Sequence, residues 1–597
     1  LFEPDEYVAY VTESFMADDK RRPAKGSWTR TAGQLLAELG TCDALITTVL
    51  AAGGNRPALA QAGGDDGTWD VAALAKLDMP IIQGLALTSP REAWEDNDEG
   101  LTPLDVATQV AVPEFDGRLI SVPFSFKEID ADDLIAYVPD FERCDRLAGI
   151  AVRHARLRHL DNGDKKIAVM LSAYPTKHAR IGNAVGLDTP ASTLKVLHAL
   201  HGAGYDLGDV AAIPGFTEYA AADANGDAEA RTAAADEFMH AIIDAGGQDP
   251  DWLTEEVMAA NELRLPADTY LEHFETLPWE LRETMVDHWG EAPGSLYVHP
   301  TTREIYIAGL RFGKVVVMVQ PPRGFGDNPV GIYHDPDLPP THHYLACYHW
   351  LSRPAETGGF GADAVVHMGK HGNMEWLPGK TVGLSAECGP DQAIGELPLI
   401  YPFLVNDPGE GTQAKRRAHA TLVDHMIPPM ARAESYGDIT RLEQLLDEHQ
   451  NISAMDPAKL PAIRQEIWTL ISAAQMDRDL GWEERPDEDV FDDMLMHVDG
   501  WLCEIKDAAI RGGLHILGRA PSGEDLSGTV ATMLRARQLW GGEFTLPGLR
   551  ESLGLAEDGS DDRVDVDRID GIATSLVTAL IDDPAVDLGS LADDVIG

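Results

Sequence analysis

The segment HMGKHGNMEWLPGKT, residues 367–381, places two imidazoles and one carboxylate at four-residue steps: His367, His371 and Glu375. On a helix this spacing puts the three side chains on one face, and in a glycine-containing loop they can still converge. Imidazole and carboxylate groups suit borderline divalent ions such as cobalt, nickel or zinc. The glutamate could instead accept protons from a bound ligand as a general base. A solvent-exposed polar face is the alternative that the spacing leaves open.

The last three letters of that segment, GKT, also match the end of a phosphate-binding loop. Such a loop needs glycine, four residues and then Gly-Lys-Ser/Thr, so that successive amide N–H groups surround the phosphates. Here six residues separate Gly372 from Gly379, and they include Glu375 and Pro378. A glutamate would repel phosphate, and proline has no amide N–H to donate. We therefore expect no nucleotide-binding site in this sequence.

Two further clusters could bind an anionic small molecule. The stretch NDPGEGTQAKRR contains Glu410 in a glycine-flanked turn, followed by three cations: Lys415, Arg416 and Arg417. Arginine offers planar paired donors that suit carboxylates. The stretch YPTKHARIGNAVGLDTP adds Arg180 and Asn183 after another apolar run. An exposed helix face, or polar groups with purely structural partners, remains the alternative for each cluster.

The composition excludes several classes of partner. Of the 597 residues, 99 are acidic and 47 are basic, which gives a formal charge of −52. Such a surface repels nucleic acid and anionic membranes, and adaptation to high salt is one explanation for it. The five cysteines form no CxxC pair, which argues against a zinc knuckle, an iron–sulfur site or a disulfide scaffold. We expect a cytoplasmic protein without a membrane span, because no apolar run approaches the roughly 20 residues required.

Short apolar runs alternate with helical patterns through most of the chain, as is typical of parallel α/β sheets. The stretches DGRLISVPFSFKEID, KKIAVMLSAYP, GKVVVMVQ and ADAVVHMG predict strands, each leading into a polar or glycine-rich loop. Loops at the carboxyl ends of such strands carry ligands, near the point where the strand order switches. The His/Glu segment begins at the end of the apolar stretch ADAVVHMG, which favours a functional role over an exposed face.

We predict an α/β multidomain fold, with parallel-sheet α/β units, helical insertions and a mainly helical C-terminal part. The expected regions are 1–164, an N-terminal α/β region; 165–414, a central α/β domain with the His/Glu loop and a helical insertion around Asp236–Trp289; and 415–597. In the last region AKRRAHATLVDHMIPPMARA and later segments carry apolar residues at helical spacing. The sequence opens with Leu in mid-pattern, so we expect a segment of a longer polypeptide.

Several long motifs together resemble the CobN/magnesium chelatase H-subunit family. They extend from about Pro113 to Ala520 and are PEFDG, RIGNAVGLDTPAS, AGLRFGKVVVMVQPPRG, HDPDLPPTHHYLACYHWL, HMGKHGNMEWLPGK, LPLIYPFLVNDPGEGTQAKRRAHA and RGGLHILGRAP. Lys370, Asn373, Trp376 and the stretch PGEGTQAKRR look more like the cobalt branch than the magnesium branch. Members of the family are about twice as long as this chain.

The resemblance implies insertion of Co(II) into hydrogenobyrinic acid a,c-diamide during aerobic cobalamin synthesis. In this family the large subunit binds the tetrapyrrole and the metal, while two smaller AAA+ subunits hydrolyse ATP with Mg²⁺. The alternatives are a magnesium chelatase H subunit, which binds protoporphyrin IX for chlorophyll synthesis, or a non-enzymatic tetrapyrrole or metal carrier. A nickel-inserting relative is a further alternative, since histidine and carboxylate ligands distinguish the two metals poorly.

On this hypothesis each candidate residue has a role. Glu375, helped by His371, accepts protons from the inner ring nitrogens, and three residues hold the entering metal: His367, His371 and Glu375. Histidine suits both tasks because it binds either a proton or a metal near neutral pH. The polar groups expected to hold the substrate are Arg180, Asn183, Glu410, Lys415, Arg416 and Arg417.

Overall fold

The structure of the chain is a computed structural model, and it describes a defined set of residues. These are 39–48, 77–115, 117–129, 132–173, 181–182, 184, 186–250, 253–325, 332, 335–369, 372–404, 408–425, 441–442, 445–446, 448–449, 459–473, 485–487, 491, 494–495, 498, 514–535, 537–540, 544–552 and 563–587. All structural statements below concern these residues. Three of the sequence-predicted site residues lie outside them, namely Arg180, Asn183 and His371.

The N-terminal region contains a four-stranded sheet. Its strands are β1 (Leu45–Thr47), β2 (Ile81–Ala86), β3 (Leu119–Ile129) and β4 (Ile135–Pro139), in the order β1-β2-β3-β4. The first three strands are parallel, and β4 returns antiparallel to β3. Four helices and one π-helical turn accompany the sheet: α1 (Arg91–Glu95), α2 (Pro103–Asp105), the turn Val106–Ala111, α3 (Val112–Glu114) and α4 (Phe141–His159).

Helix α4 shows how the sequence sets its own boundaries. The carboxylate of Asp140 accepts a hydrogen bond from the Arg143 amide, which caps the helix at its start. The last turn carries Arg156, Arg158 and His159, and positive charge there complements the partial negative charge at the end of a helix. Its buried face, which includes Leu147 and Ile150, packs against the N-terminal sheet.

A six-stranded sheet forms the central unit. Its strands are β5 (Ile167–Leu171), β8 (Gly309–Phe312), β9 (Val315–Val319), β10 (Ala364–Met368), β11 (Leu399–Leu404) and β12 (Thr421–His425), in the order β12-β11-β10-β5-β9-β8. All neighbours are parallel except β8, which pairs antiparallel with β9. A separate antiparallel pair is formed by β6 (Arg264–Pro266) and β7 (Glu304–Tyr306).

The central strands are apolar along their whole length because both faces of the sheet are covered. Every residue of β5 and β9 is buried, as expected for a parallel sheet between two layers. Alternate residues of β5 enter opposite cores: Ala168 and Met170 join one cluster, while Ile167, Val169 and Leu171 join the other. The period of two is the ordinary alternation of side chains along a strand.

Helices cover the two faces of this sheet and form the predicted insertion. They are α5 (Thr189–Gly202), α6 (Phe216–Asn225), α7 (Ala228–Asp244), α8 (Glu255–Ala260), α9 (Ala267–Phe274), α10 (Trp279–Trp289), α11 (His342–Ser352), α12 (Gly389–Ile394) and α13 (Pro408–Ala418). Helices α7 to α10 cover residues 228–289 and include the stretch around Asp236–Trp289 where the insertion was expected. The α/β multidomain prediction with parallel-sheet units is therefore confirmed.

The start of the C-terminal region differs from the prediction. The segment AKRRAHATLVDHMIPPMARA was expected to be helical, but within it α13 ends at Ala418 and TLVDH forms β12. This strand pairs with β11 from Ile400 to Leu404, so the hydrogen bonds of the neighbouring strand override the helical pattern. The sheet of the central unit thus extends past the boundary expected after residue 414, and we propose His425 as the end of that sheet.

Helices predominate in the described residues beyond this sheet. They are α14 (Leu460–Ala473), α15 (Glu524–Arg535), α16 (Leu549–Ser552) and α17 (Arg563–Asp582). One short antiparallel pair, β13 (Gln538–Trp540) and β14 (Phe544–Leu546), accompanies them. A small apolar cluster that includes Ile467 and Phe491 forms a separate core.

Three buried histidines lead us to expect that the stability of the fold decreases in mild acid. Burial lowers the pKa of His154, His343 and His419 to about 4, whereas the unfolded side chain has a pKa near 6.5. Below pH 6.5 the unfolded state binds protons that the folded state excludes, so stability is complete above that pH and falls towards pH 4. Each histidine contributes about 1.4 kcal/mol per pH unit in this window.

We therefore expect the free energy of unfolding to fall by about 4 kcal/mol for these three histidines between pH 7.5 and pH 5.5. Urea unfolding at the two pH values measures this difference. The variant His419→Gln should lose about 1.4 kcal/mol of this fall, since the contribution of one buried histidine is removed. Equal unfolding free energies at both pH values in the wild-type chain would contradict the assignment.

Candidate active site

The strand order of the central sheet switches between β5 and β10, and sheets of this kind bind ligands in a crevice at such a switch point. The chain goes from β5 to β9 on one side of β5 and then crosses to β10 on the other side. At such a switch the loops that follow the two strands separate and leave room for a ligand. Gly369 begins the loop after β10 with a φ of +152°, and a Cβ there would lie 2.0 Å from the Ser172 hydroxyl oxygen at the end of β5. Only glycine fits this close approach.

His367 lies near the carboxyl end of β10 and is buried. Its ring meets the ring of Tyr401 on β11 edge to face, with 4.7 Å between the ring centroids and an interplanar angle of 68°. In the register of the sheet, His367 is the neighbour of Met170 on β5. The histidine is therefore held between two strands at the crevice.

Glu375 faces the interior beside this histidine, with 2% of its surface exposed. Its Oε1 atom accepts hydrogen bonds from the Tyr401 hydroxyl at 2.9 Å and from the Gly372 amide at 3.1 Å. A Cβ at Gly372 would lie 3.0 Å from both Glu375 Oε2 and His367 Cε1. The carboxylate and the imidazole thus surround the same point, which is free of side-chain atoms because residue 372 is glycine.

Polar side chains from two neighbouring elements complete the wall. Gln320, directly after β9, accepts a hydrogen bond from the Asn373 amide at 3.2 Å. The Tyr344 hydroxyl on α11 donates to Asn373 Oδ1 at 2.7 Å. Burial raises the pKa of Tyr344 well above its ordinary value and that of Tyr348 to about 12. Both phenols are therefore neutral hydrogen-bond donors at physiological pH.

Arg417 on α13 holds the main chain of the His/Glu loop. Its guanidinium donates to four carbonyl oxygens, those of Glu375 at 2.6 Å, Leu377 at 2.8 Å, Gly379 at 3.1 Å and Lys380 at 3.0 Å. The side chain is buried, and these bonds engage all three guanidinium nitrogens. The contacts favour a structural role for Arg417 over the substrate-carboxylate role expected from the sequence.

The other members of the basic cluster have different surroundings. Arg416 binds Glu114 of the PEFDG motif with both carboxylate oxygens, at 3.0 Å and 2.7 Å. The side chain of Lys415 is half-buried, and no hydrogen bond or ion pair joins its ammonium group to another described residue. Glu410 lies in the first turn of α13 and is also half-buried. Of the three cations, Lys415 has the donor that is most available to a ligand.

Lys380 does not have the position of a phosphate-binding lysine. Its Nζ atom donates to the carbonyl oxygens of Glu95 and Asn97, each at 2.9 Å. The side chain is buried, and its ammonium group lies 5.3 Å from the centre of the Trp94 ring. The Lys380 ammonium group is thus engaged by main-chain acceptors of the protein itself.

The described residues bring together part of the predicted metal site. His367 and Glu375 are adjacent, whereas His371 lies outside the description, as do Arg180 and Asn183. Within the described set, no group of three or more His, Cys, Asp or Glu side chains could hold a metal ion. The expected ligand set of His367, His371 and Glu375 therefore stays a prediction.

Sequence reasoning did not select two residues of the candidate site, Tyr401 and Glu114. Tyr401 lies within LPLIYPFLVNDPGEG and Glu114 within PEFDG, both among the motifs that resemble the chelatase family. The available signal was therefore the presence of a polar residue inside a long family motif. Their partners are 26 and 302 residues away in sequence, beyond the reach of local patterns.

The chain is similar to chelatases of two kinds. The family described as CobN/Magnesium Chelatase matches residues 14–590. The aerobic cobaltochelatase subunit CobN of Pseudomonas aeruginosa is 40% identical over 492 residues, which cover 81% of this chain and 36% of that protein. The H subunit of magnesium chelatase from Chlorobaculum parvum is 29% identical over 465 residues, which cover 78% of this chain and 33% of that protein.

A solved structure is also similar. The catalytic subunit of cobaltochelatase from Mycobacterium tuberculosis is 59% identical, with a TM-score of 0.71, and the match covers 95% of this chain and 45% of that chain. The match spans about a third of the length of the two curated relatives and 45% of that solved chain. In the part of the chain that the structure describes, no helix is long and apolar enough to cross a membrane.

Proposed function

This chain belongs to the CobN/magnesium chelatase family, and we propose that it forms the tetrapyrrole-binding and metal-inserting core of a cobaltochelatase large subunit. The observation that carries the proposal is the buried Glu375 carboxylate beside His367 at the switch point of the central sheet. A group in this position is surrounded by fixed donors and shielded from water, as proton acceptors in active sites commonly are.

The chemistry of metal insertion requires such an acceptor. When Co(II) enters the ring, a nitrogen–metal bond replaces an inner N–H bond, and the released proton must go to a nearby base. Glu375 is the proposed base, with His371 assisting it, and His367, His371 and Glu375 are the proposed ligands of the entering ion. Carboxylate and imidazole are suitable ligands for cobalt.

We propose hydrogenobyrinic acid a,c-diamide as the ring substrate and Co(II) as the substrate metal. The higher identity to the cobaltochelatase relative, 40% against 29% for the magnesium-chelatase relative, supports this choice. Lys415, Arg180, Asn183 and Glu410 remain the proposed groups for the polar substituents of the ring. Arg416 and Arg417 leave that set, because protein acceptors already engage them.

Access to Glu375 requires movement, because the carboxylate is almost fully covered. We propose that two smaller AAA+ subunits supply this movement by hydrolysing ATP with Mg²⁺, and that they bind the large subunit in the cytoplasm. Free thiols at Cys42, Cys144, Cys347 and Cys388 support a reducing compartment. The main-chain contacts of Lys380 support a motor on separate subunits, since they leave GKT no role with a nucleotide.

The test combines the complete large subunit with its two smaller partners, ATP and Mg²⁺. We expect Co²⁺ insertion into hydrogenobyrinic acid a,c-diamide, seen as a change in the corrin absorption spectrum, and no insertion of Mg²⁺ into protoporphyrin IX. Omission of ATP is the matched control. Magnesium insertion would establish the magnesium-chelatase alternative, while ring binding without insertion of either metal would indicate a carrier.

A further inference from the structure

We propose that the N-terminal unit positions the Glu375 loop, with Lys380 and the Glu114–Arg416 ion pair as the positioning residues. The inference rests on the proposed function, because it concerns the residue assigned to accept the proton. It extends that function by giving the N-terminal sheet and its short helices a part in the reaction, although none of their side chains is assigned to substrate or metal.

The first contact holds the far end of the loop. Lys380 lies five residues after Glu375 and donates to the carbonyl oxygen of Glu95, the last residue of helix α1, and to that of Asn97, two residues beyond the helix. Free carbonyl groups at a helix end carry partial negative charge, and a lysine ammonium group satisfies them directly. The same ammonium lies 5.3 Å from the centre of the Trp94 ring, which adds a cation–π attraction.

Main-chain contacts continue on both sides of this lysine. The Thr381 amide donates to the Asp98 carbonyl at 3.0 Å, and the Trp94 indole N–H donates to the Gly383 carbonyl at 2.8 Å. A Cβ at Gly100, where φ is +82°, would lie 1.9 Å from the Val382 carbonyl oxygen. Residues 380–383 and 94–100 therefore pack backbone against backbone, so neither segment can shift alone.

The second contact reaches the loop through α13. Glu114, at the end of α3, binds Arg416 through both oxygens, and the two side chains are largely covered, with 15% and 27% exposure. A bidentate carboxylate–guanidinium pair fixes orientation as well as distance. The next residue, Arg417, holds the carbonyl oxygens of Glu375 and Leu377. The ion pair thus lies one residue from the group that fixes the main chain of the base.

Lys380 joins the N-terminal unit to the end of the Glu375 loop. The Glu114–Arg416 pair joins the same unit to that loop through the neighbouring Arg417. A displacement of that unit therefore reaches Glu375, whose carboxylate must meet the ring nitrogens within hydrogen-bonding distance. A misplacement of about 1 Å in a reacting group can lower a rate by about a hundredfold. The geometry points to a route by which movement of the N-terminal unit changes the position of the Glu375 carboxylate, the proposed proton acceptor.

Two variants test the contacts separately, Glu114→Gln and Lys380→Met, in the complete large subunit with its partners. Each should lower kcat for cobalt insertion by about 10- to 100-fold, as loss of a supporting contact typically does. The dissociation constant of the corrin should change less than twofold, because neither residue is placed in the ring site. Lys380→Arg and the charge exchange Glu114→Arg with Arg416→Glu should each recover at least part of the lost rate.

The matched control is Glu304→Gln, which removes one partner of the half-exposed Arg264–Glu304 pair at 3.0 Å in the central unit. This change should leave kcat unaltered. Equal losses in the control and in Glu114→Gln would show that the effect is general destabilisation and would overturn the proposal. Weakened corrin binding in Glu114→Gln, or no recovery by the charge exchange, would also overturn it.

Amide hydrogen exchange on this chain alone gives a readout that does not need activity. In Glu114→Gln and Lys380→Met, the amides of residues 372–383 should exchange at least tenfold faster, while those of β5 and β9 keep their wild-type rates. Unchanged exchange in residues 372–383 would refute the positioning role even if insertion were impaired. Failure of the wild-type assembly to insert cobalt, with the exchange result as expected, would refute the proposed function alone.

Discussion

Replacing Glu375 by glutamine is expected to lower cobalt insertion by about 10²- to 10⁴-fold, the usual contribution of a positioned general base. Binding of the corrin should stay nearly intact. Glutamine has the same shape as glutamate, and its side-chain oxygen can still accept from the Tyr401 hydroxyl and the Gly372 amide. It cannot take up the proton released from the ring, so the loss falls on the chemical step.

Corrin binding by Trp fluorescence quenching and single-turnover insertion with the motor subunits separate the two effects. Glu272→Gln, the same chemical change at an exposed position of α9, is the control and should behave as the wild type. A Glu375→Gln variant that inserts cobalt at the wild-type rate would exclude the base assignment. Loss of corrin binding in this variant would instead place Glu375 among the ring-binding groups.

Replacing Arg417 by methionine should lower the free energy of unfolding by about 4 kcal/mol, because charge-assisted hydrogen bonds to buried carbonyls are lost together. Methionine fills similar volume but leaves four carbonyl oxygens without this donor. Arg417→Lys should have an intermediate effect, since an ammonium group has three donors and lacks the planar fork. Insertion activity should fall in the same order.

Urea unfolding followed by circular dichroism measures this change. Arg282→Met is the control, because Arg282 pairs with an exposed carboxylate, that of Glu275, and such a pair contributes about 1 kcal/mol or less. Suppose that Arg417→Met unfolds as the wild type does but binds the corrin at least tenfold more weakly. Arg417 would then be a substrate ligand, as the basic cluster suggested, and its structural role in the His/Glu loop would be wrong.

The fold was largely predictable because the central strands are apolar throughout. The strands predicted within KKIAVMLSAYP, GKVVVMVQ and ADAVVHMG each form part of the six-stranded sheet. The segment TLVDH was not predictable in this way. Its fate depends on β11, more than fifteen residues earlier in the chain, whose open edge offers hydrogen-bonding partners to this segment.

The site was predictable in residue type but only partly in role. Glu375 and His367 could be selected because they belong to a set at four-residue steps that begins near the end of an apolar strand, and the structure places them together. Arg416 and Arg417 looked like ligands for carboxylates, yet their acceptors are Glu114 and a set of loop carbonyls. The sequence shows only that an arginine needs hydrogen-bond acceptors. Whether these acceptors belong to the protein or to the substrate is decided by the tertiary structure.

The most direct test of the central claim is a structure of the complete large subunit with hydrogenobyrinic acid a,c-diamide bound. We expect the ring in the crevice between β5 and β10, with an inner nitrogen about 3 Å from the Glu375 carboxylate or joined to it by one water. A ring bound elsewhere, with Glu375 still covered and hydrogen-bonded to Tyr401 and the Gly372 amide, would contradict it.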